Sequence, residues 1–220
     1  MSWKSDIIGE TGLQFYGKTA ASLSHEMKNA LAIINEHAGL LKDLALMAEA
    51  GTPMDPGRLT SLAEKVMKQI RRADGIVTTM NRFAHSVDES IKDVDLGEIL
   101  EFGATLSRRL ASMRGVTLEP RLVTTPVRIT TNPFFLQNLL SLCVDFATAA
   151  AGGGKTVGLS AEETENGAQV RLTGLEGLGE VLLDTFPATR EKALLEALRA
   201  QLAVDTEAGQ LVLALPRDID

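Results

Sequence analysis

The first third of the chain carries a long repeat of apolar positions. They recur at alternating steps of four and three residues, as in a coiled coil or a helix bundle. The repeat comprises Leu23, Met27, Ala30, Ile34, His37, Leu41 and Leu44, all apolar except His37. A cluster of glycine and proline in residues 51–57 interrupts the pattern. The spacing predicts one long helix over residues 15–50.

A second amphipathic pattern follows between residues 58 and 87. Its apolar positions are Leu59, Leu62, Val66, Ile70, Ala73, Val77, Met80, Ala84 and Val87. Two long helices joined by a short loop predict an antiparallel hairpin. One partner helix cannot cover such a stripe, whereas a four-helix bundle formed by two hairpins can. The sequence therefore predicts a homodimer.

Shorter elements of both kinds alternate after residue 88. The spacing predicts helices over residues 96–114, 133–151 and 188–202, and strands over residues 116–122, 127–130, 157–162, 168–173, 203–206 and 210–215. Asn132 suits the N-cap of the second of these helices, and Pro133 suits its first turn. We therefore expect an α+β fold with helices on one face of a mostly antiparallel sheet. The predicted domains are residues 1–90 and 91–220.

Composition narrows the range of partners. The chain has 220 residues, 45% of them hydrophobic, which suffices for one large or two small domains. Its net charge of -7 offers no basic face, so we expect neither nucleic acid nor a membrane as a partner. No apolar run approaches the roughly 20 residues that span a bilayer, and no signal-peptide pattern is present. Cys143 lies in an apolar run and predicts a buried, inert thiol. We expect a cytoplasmic protein.

A group of polar residues lies within the first helical repeat. Between Leu23 and Leu31 lie Ser24, His25, Glu26, Lys28 and Asn29. With Met27 and Ala30 at the a and d positions, His25 falls at position f, which points into solvent. An imidazole at that position contributes no buried surface to the core of the bundle. It is therefore a candidate for chemistry with a second molecule.

The segment from Leu23 to Leu31 resembles the histidine box of sensor histidine kinases, in which the imidazole after the serine is phosphorylated. Ala30 replaces the family's usual proline. Residues 70–84 are similar to the second helix of the family's dimerisation and phosphotransfer domain, and residues 94–150 resemble the opening of its ATP-binding domain. The resemblance implies a helical hairpin that forms a four-helix bundle in the dimer, followed by a degenerate α/β sandwich.

The same resemblance implies a degraded nucleotide site. Ser141 and Asp145 stand where the family's asparagine box holds metal and phosphates, although Asp145 remains a candidate ligand for Mg²⁺. The glycine box corresponds to a segment with Leu175, Gly177 and Gly179, and a leucine cannot accept the hydrogen bond of the adenine amino group. Eight residues separate Gly179 from the next predicted helix, too few for the family's ATP lid. We expect that ATP does not bind and that no cofactor is held tightly.

Within the family, the chain looks most similar to dimeric histidine phosphotransferases of phosphorelays. His25 would then accept a phosphoryl group from the aspartyl phosphate of a response regulator receiver domain, which supplies the Mg²⁺, and pass it to another receiver. A neutral imidazole is a competent nucleophile near pH 7. Glu26 would orient or deprotonate the ring, and Glu26 with Asn29 matches the spacing of the family's phosphatases. Ser24 and Lys28 would bind the receiver or the phosphate.

Two alternatives stay open beside the histidine phosphotransferase, which we favour with or without phosphatase activity. An ATP-dependent sensor histidine kinase requires nucleotide binding. A noncatalytic module that regulates a kinase or a receiver requires binding that survives His25→Ala. The form of residues 174–187 separates the first alternative from the others. An open cleft with space for adenine favours the kinase, and a pocket filled by Leu175, Leu178 and Leu182 excludes it.

Overall fold

The computed structural model describes residues 3–121, 125–153, 155–178 and 186–219, with side chains from residue 6 onward. The chain divides into two compact units. One unit, here called the hairpin, is Gly17–His85. The other, here called the α/β unit, combines Met1–Tyr16 with Ser86–Asp220.

Two long helices form the hairpin, as the apolar periods predict. Helix α1 spans Trp3–Glu49 and helix α2 spans Pro56–Ala84. Gly51, with a φ of 88°, follows α1 in the left-handed region that glycine adopts readily. The side chain of Asp55 caps α2 by accepting a hydrogen bond from the backbone N–H of Gly57.

Helix α1 begins at Trp3, about three helical turns before residue 15, where the sequence pattern placed its start. Its first part belongs to the α/β unit, where Phe15 packs against Phe134 with ring centroids 5.6 Å apart. Thr11 and Phe15 are buried at helical spacing. Small and polar residues occupy most of this stretch, so no apolar period marks it as helix. The predicted start was therefore wrong.

The hairpin buries one set of apolar side chains and leaves a second set exposed. Every position of the predicted α1 repeat is buried or half-buried, and Leu62 and Ile76 are buried on α2. Large apolar side chains nevertheless remain exposed on both helices, namely Leu31, Leu40, Leu46, Met47, Met67, Ile70, Val77 and Met80. The apolar surface therefore exceeds what one hairpin buries, as the sequence pattern indicated.

Besides the first part of α1, the described residues of the α/β unit form three α-helices and two sheets. The helices are α3 (Leu96–Met113), α4 (Pro133–Ala150) and α5 (Thr189–Ala197). The strands are β1 (Lys92–Asp95), β2 (Thr117–Pro120), β3 (Arg128–Thr131), β4 (Thr156–Thr164), β5 (Gly167–Thr173), β6 (Gln201–Asp205) and β7 (Gln210–Pro216). Five of them form a sheet in the order β2-β4-β5-β7-β6, parallel only between β2 and β4. The antiparallel pair β1-β3 forms the second sheet. The α+β fold class is confirmed.

One apolar core joins the main sheet to helices α3, α4 and α5. Helix α4 is the one described helix that is long and apolar enough to cross a membrane, but 61% of that window is buried here. Its apolar composition is explained by its place in the core. Burial raises the pKa of the Cys143 thiol on α4, so the thiol stays protonated. The predicted buried cysteine is confirmed.

Two local predictions differ from the structure. Helix α5 ends at Ala197 and not at residue 202, because residues 201–205 pair with β7 as a strand. Strand β1 has no counterpart among the predicted elements, since Lys92–Asp95 contains a single apolar residue. Pairing with β3 holds it in place, and Arg128 Nε donates to Asp93 Oδ2 at 2.8 Å across the pair. Both differences arise from pairing between distant segments.

The turn after β5 requires a glycine. Gly174 has a φ of 83°, and a Cβ there would lie 2.3 Å from the carbonyl oxygen of Thr156. We expect Gly174→Ala to lower the free energy of unfolding by about 1–3 kcal/mol in urea denaturation. Gly103 inside α3 is the matched control, since a Cβ there meets nothing within 4 Å. Gly103→Ala should raise the free energy of unfolding by about 0.5–1 kcal/mol. Equal effects of the two substitutions would contradict this account of the turn.

Candidate functional site

The polar residues of the histidine box lie on the solvent side of α1. His25, Ser24, Lys28 and Asn29 are exposed, and Glu26 is half-buried. Leu23 and Ala30, which belong to the apolar repeat, are buried with exposed fractions of 6% and 0%. Because helical side chains three and four residues apart share a face, the burial of the repeat fixes the outward direction of His25. The ring is open to a second molecule.

One hydrogen bond holds the imidazole. The side-chain amide of Asn29 forms a hydrogen bond with Nδ1 of His25 over 3.2 Å, one helical turn away. Within the described part of the chain, Nε2 has no hydrogen-bond partner. Nε2 is the nitrogen that an incoming group can reach.

Glu26 does not contact the ring in the way the sequence suggested. Among the described residues it has neither a hydrogen bond nor an ion pair, and Nδ1 is bound by Asn29 instead. Ser24 and Lys28 lie exposed next to the ring and on the following turn. The structure thus brings Asn29 to His25, while the roles of the other three stay predictions.

Asp145, the candidate metal ligand, is bound to an arginine. Nη1 of Arg114, the residue that follows α3, lies 2.8 Å from Oδ1 of Asp145. The same nitrogen donates to the backbone oxygen of Asp145 at 2.9 Å and to Oγ1 of Thr148 at 2.6 Å. Ser141 lies one turn before Asp145 on α4. A cation at Asp145 would have to compete with this guanidinium, and no described group of three His, Cys, Asp or Glu residues could hold a metal ion.

The segment that corresponds to the glycine box is packed into the core. Leu175 and Leu178 are 1% and 2% exposed. The backbone N–H of Leu175 donates to the oxygen of Gly209 at 3.0 Å, and that of Gly177 donates to the oxygen of Ala150 at 2.8 Å. These bonds join the segment to the β6-β7 turn and to the end of α4. Two further predicted positions, Gly179 and Leu182, lie outside the described residues.

An aromatic pair joins helix α4 to the segment that precedes α5. The rings of Phe146 on α4 and Phe186 stack with centroids 4.2 Å apart and an interplanar angle of 10°. Phe186 is itself partly buried against the core. Sequence reasoning identified neither this pair nor the contacts of Arg114, because both join segments that are far apart in the chain. The Asn29–His25 contact, in contrast, follows from its spacing of four residues.

Comparisons with known proteins find similarity to solved structures. No family model matches the chain, and no curated protein is similar to it. The histidine kinase AdeS of Acinetobacter baumannii is 13% identical, with a TM-score of 0.49 over 88% of this chain and 98% of that one. The ATP-binding domain of PrrB from Mycobacterium tuberculosis is 20% identical, with a TM-score of 0.44 over 59% of this chain and 98% of that one.

The catalytic domain of the histidine kinase ThkA is 10% identical, with a TM-score of 0.48 over 60% of this chain and 100% of that one. These neighbours are histidine kinases or their catalytic and ATP-binding domains. The histidine box of this chain resembles the same family. The likeness to the solved structures is one of fold.

Proposed function

We propose that the chain is a cytoplasmic, homodimeric phosphotransfer protein of two-component signalling, phosphorylated on His25. Its partner is the receiver domain of a response regulator. The observation that carries the proposal is the exposed imidazole on the outer face of α1, with Nδ1 held by Asn29 and Nε2 open. A ring in this setting needs a phosphoryl donor from a second molecule.

Phosphoryl transfer to His25 requires few groups from the rest of the chain. Phosphoryl transfer requires an in-line nucleophile, neutralisation of charge and exclusion of water. The receiver supplies the aspartyl phosphate and the Mg²⁺, and His25 supplies the nucleophile. Lys28 contributes positive charge near the transferred group, and Ser24 contributes a hydroxyl at the docking surface. Glu26 is close enough in sequence to take a proton from the ring when a partner closes the site.

The receiver is the proposed donor because the α/β unit offers little to a nucleotide. Leu175 and Leu178 fill the core where the family's glycine box contacts adenine. Arg114 pairs with Asp145, the candidate Mg²⁺ ligand. Phe186 stacks on Phe146 and covers that ring. A triphosphate needs convergent backbone donors and a cation, and no described group of three His, Cys, Asp or Glu residues could hold a metal ion. These contacts support the loss of ATP binding.

The proposed dimer rests on the exposed apolar side chains of the hairpin. Ile70 and Val77, one heptad apart on α2, are 45% and 46% exposed. Leu31 on α1 is 53% exposed. A second copy of the hairpin would cover these side chains and complete a four-helix bundle. The same surface on both copies makes a two-fold dimer the simplest assembly.

A phosphatase acting on receivers is the second candidate function. Glu26 and Asn29 match the spacing of the family's phosphatases, and both lie beside His25 on α1. In that reaction the Asn29 amide would orient a water molecule against the receiver's aspartyl phosphate. The contact between Asn29 and His25 favours phosphotransfer, because it engages the amide with the ring.

Phosphate should move from a receiver to His25. We expect a receiver that carries radiolabelled aspartyl phosphate to transfer its label to this chain. His25→Ala should abolish the transfer, because the nucleophile is lost, and electrophoresis measures the label on each protein. His85→Ala is the matched control, since His85 is also exposed, and should be labelled like the unchanged chain. Label on the His25→Ala chain would refute the assignment. Receiver binding without any label would favour the noncatalytic module.

ATP should not bind. We expect calorimetric titration with ATP and Mg²⁺ to give only heats of dilution. The reasons are that Leu175 and Leu178 are buried in the core and that Arg114 forms an ion pair with Asp145. A nucleotide-binding histidine kinase domain in the same buffer provides the positive control. Saturable binding together with label from ATP on His25 would instead establish an active kinase.

The exposed face of α2 should hold the dimer together. We expect Ile70→Glu to weaken dimerisation at least about tenfold in sedimentation equilibrium, because the new carboxylate would be buried in the interface. Arg71→Glu is the control on the neighbouring exposed position, and it should leave the dimer near its original affinity. A monomeric unchanged chain, or a dimer indifferent to Ile70→Glu, would rule out this interface.

A further inference from the structure

Four pairs of residues line the interior of the hairpin in successive layers. Each step of seven residues along α1 is matched by a step of seven residues back along α2, so the positions face each other in order. All eight side chains are buried or half-buried. The pairs are Leu23 with Phe83, Ala30 with Ile76, His37 with Gln69 and Leu44 with Leu62. Three layers are apolar, and the His37–Gln69 layer is polar.

The polar layer contains two atoms that lack hydrogen bonds. Nδ1 of His37 and Oε1 of Gln69 are shielded from solvent, and among the described residues neither has a partner, the other included. Buried polar groups in native proteins are nearly always paired, because an unpaired group loses its bonds to water without replacement. The amide oxygen of a glutamine only accepts, whereas an imidazole nitrogen can accept or donate. One hairpin alone therefore leaves this layer unsatisfied.

Exposed apolar side chains surround the same level of the hairpin. Leu40 follows His37 by three residues on α1, and it is 39% exposed. Met67 and Ile70, which lie within two residues of Gln69 on α2, are 50% and 45% exposed. A protein surface that covers these side chains would also enclose the polar layer and exclude water from it. The missing hydrogen bonds must then come from that surface.

We propose that the His37–Gln69 layer pairs with the same layer of a second copy and thereby fixes the register and the direction of the dimer. The inference rests on the homodimer of the proposed function and assigns the residues that align it. A two-fold axis parallel to the helices brings both polar layers to one level, where each copy offers amide and imidazole groups to the other. Single polar positions fix register and oligomeric state in coiled coils in the same way.

Other arrangements of the two copies satisfy the layer less well. A copy that is shifted along the axis places His37 and Gln69 against an apolar layer. The polar layer lies off the middle of the set, with two apolar layers on one side and one on the other. A reversed copy that aligns the polar layers therefore leaves the Leu23–Phe83 layer beyond the partner's turn, with no facing layer. The parallel, unshifted dimer is the one arrangement of these three that matches all four layers.

Leucine substitutions test the pairing of the layer. Gln69→Leu alone leaves His37 buried without its partner group, whereas Gln69→Leu combined with His37→Leu makes the layer apolar. Removal of one partner of a buried polar pair is costly, and replacement of both is often neutral or stabilising. We expect Gln69→Leu to weaken dimerisation about tenfold in sedimentation equilibrium, and the double variant to dimerise at least as tightly as the unchanged chain. Equal weakening by the single and the double variant would overturn the pairing.

The distance between the two hairpin turns tests the direction of the copies. Thr52→Cys places a nitroxide label in the turn of the full chain, and the buried Cys143 should take up no label. Parallel copies bring the labels within about 35 Å, because neighbouring helix axes lie about 8–10 Å apart. Reversed copies separate them by roughly the length of α2, whose 29 residues span about 43 Å. Pulsed EPR should give one short distance in the unchanged layer, and an added long distance in the double leucine variant.

The matched control is Asn35→Leu, because Asn35 is an exposed asparagine on α1 outside the layers. It should keep the original affinity and the single short distance. A single short distance in the double leucine variant would overturn the aligning role, and so would a monomeric unchanged chain. If the chain dimerises and receivers label His25 while the layer variants change nothing, only this inference fails. If receivers never label His25 but the variants act as expected, the proposed phosphotransfer fails and the role of the layer stands.

Discussion

Burial of the apolar repeat along α1 is the constraint on which the candidate site depends. The repeat fixes the rotation of the helix, since Leu23 and Ala30 must face inward to be covered. His25 then faces outward as a consequence of that packing. The imidazole is presented by packing on the other side of the helix. Residues beside His25 on the outer face of α1 take no part in that packing, so they can act on the imidazole. Asn29 is the one that contacts it.

A different constraint governs the α/β unit. Here the residues that the sequence resemblance assigns to a nucleotide site take part in the packing of the core and in contacts between helices. Leu175 is buried, and Asp145 binds Arg114 across the α3–α4 pair. Each of these contacts stabilises the unit in the absence of a ligand. The packing of the α/β unit therefore does not depend on a bound nucleotide.

Local patterns predicted much of this molecule, and contacts between distant segments account for what they missed. The two hairpin helices follow from apolar periods, and the N-cap of α4 at Asn132 follows from its residue type. The early start of α1 depends on Phe15 meeting Phe134, and strand β1 depends on pairing with β3. At the candidate site, the exposure of His25 and its nearness to Asn29 were predictable from helical spacing. The contact between Arg114 and Asp145 was not, because it joins separate helices.

The burial of Leu175 limits which substitutions the chain can tolerate. An aspartate there would place a carboxylate at a position that is 1% exposed, where an unpaired charge is strongly destabilising. Arg114 and Phe186 would still hold their present partners, Asp145 and Phe146. Any path that introduces a charge into this part of the core must therefore begin with a loss of stability.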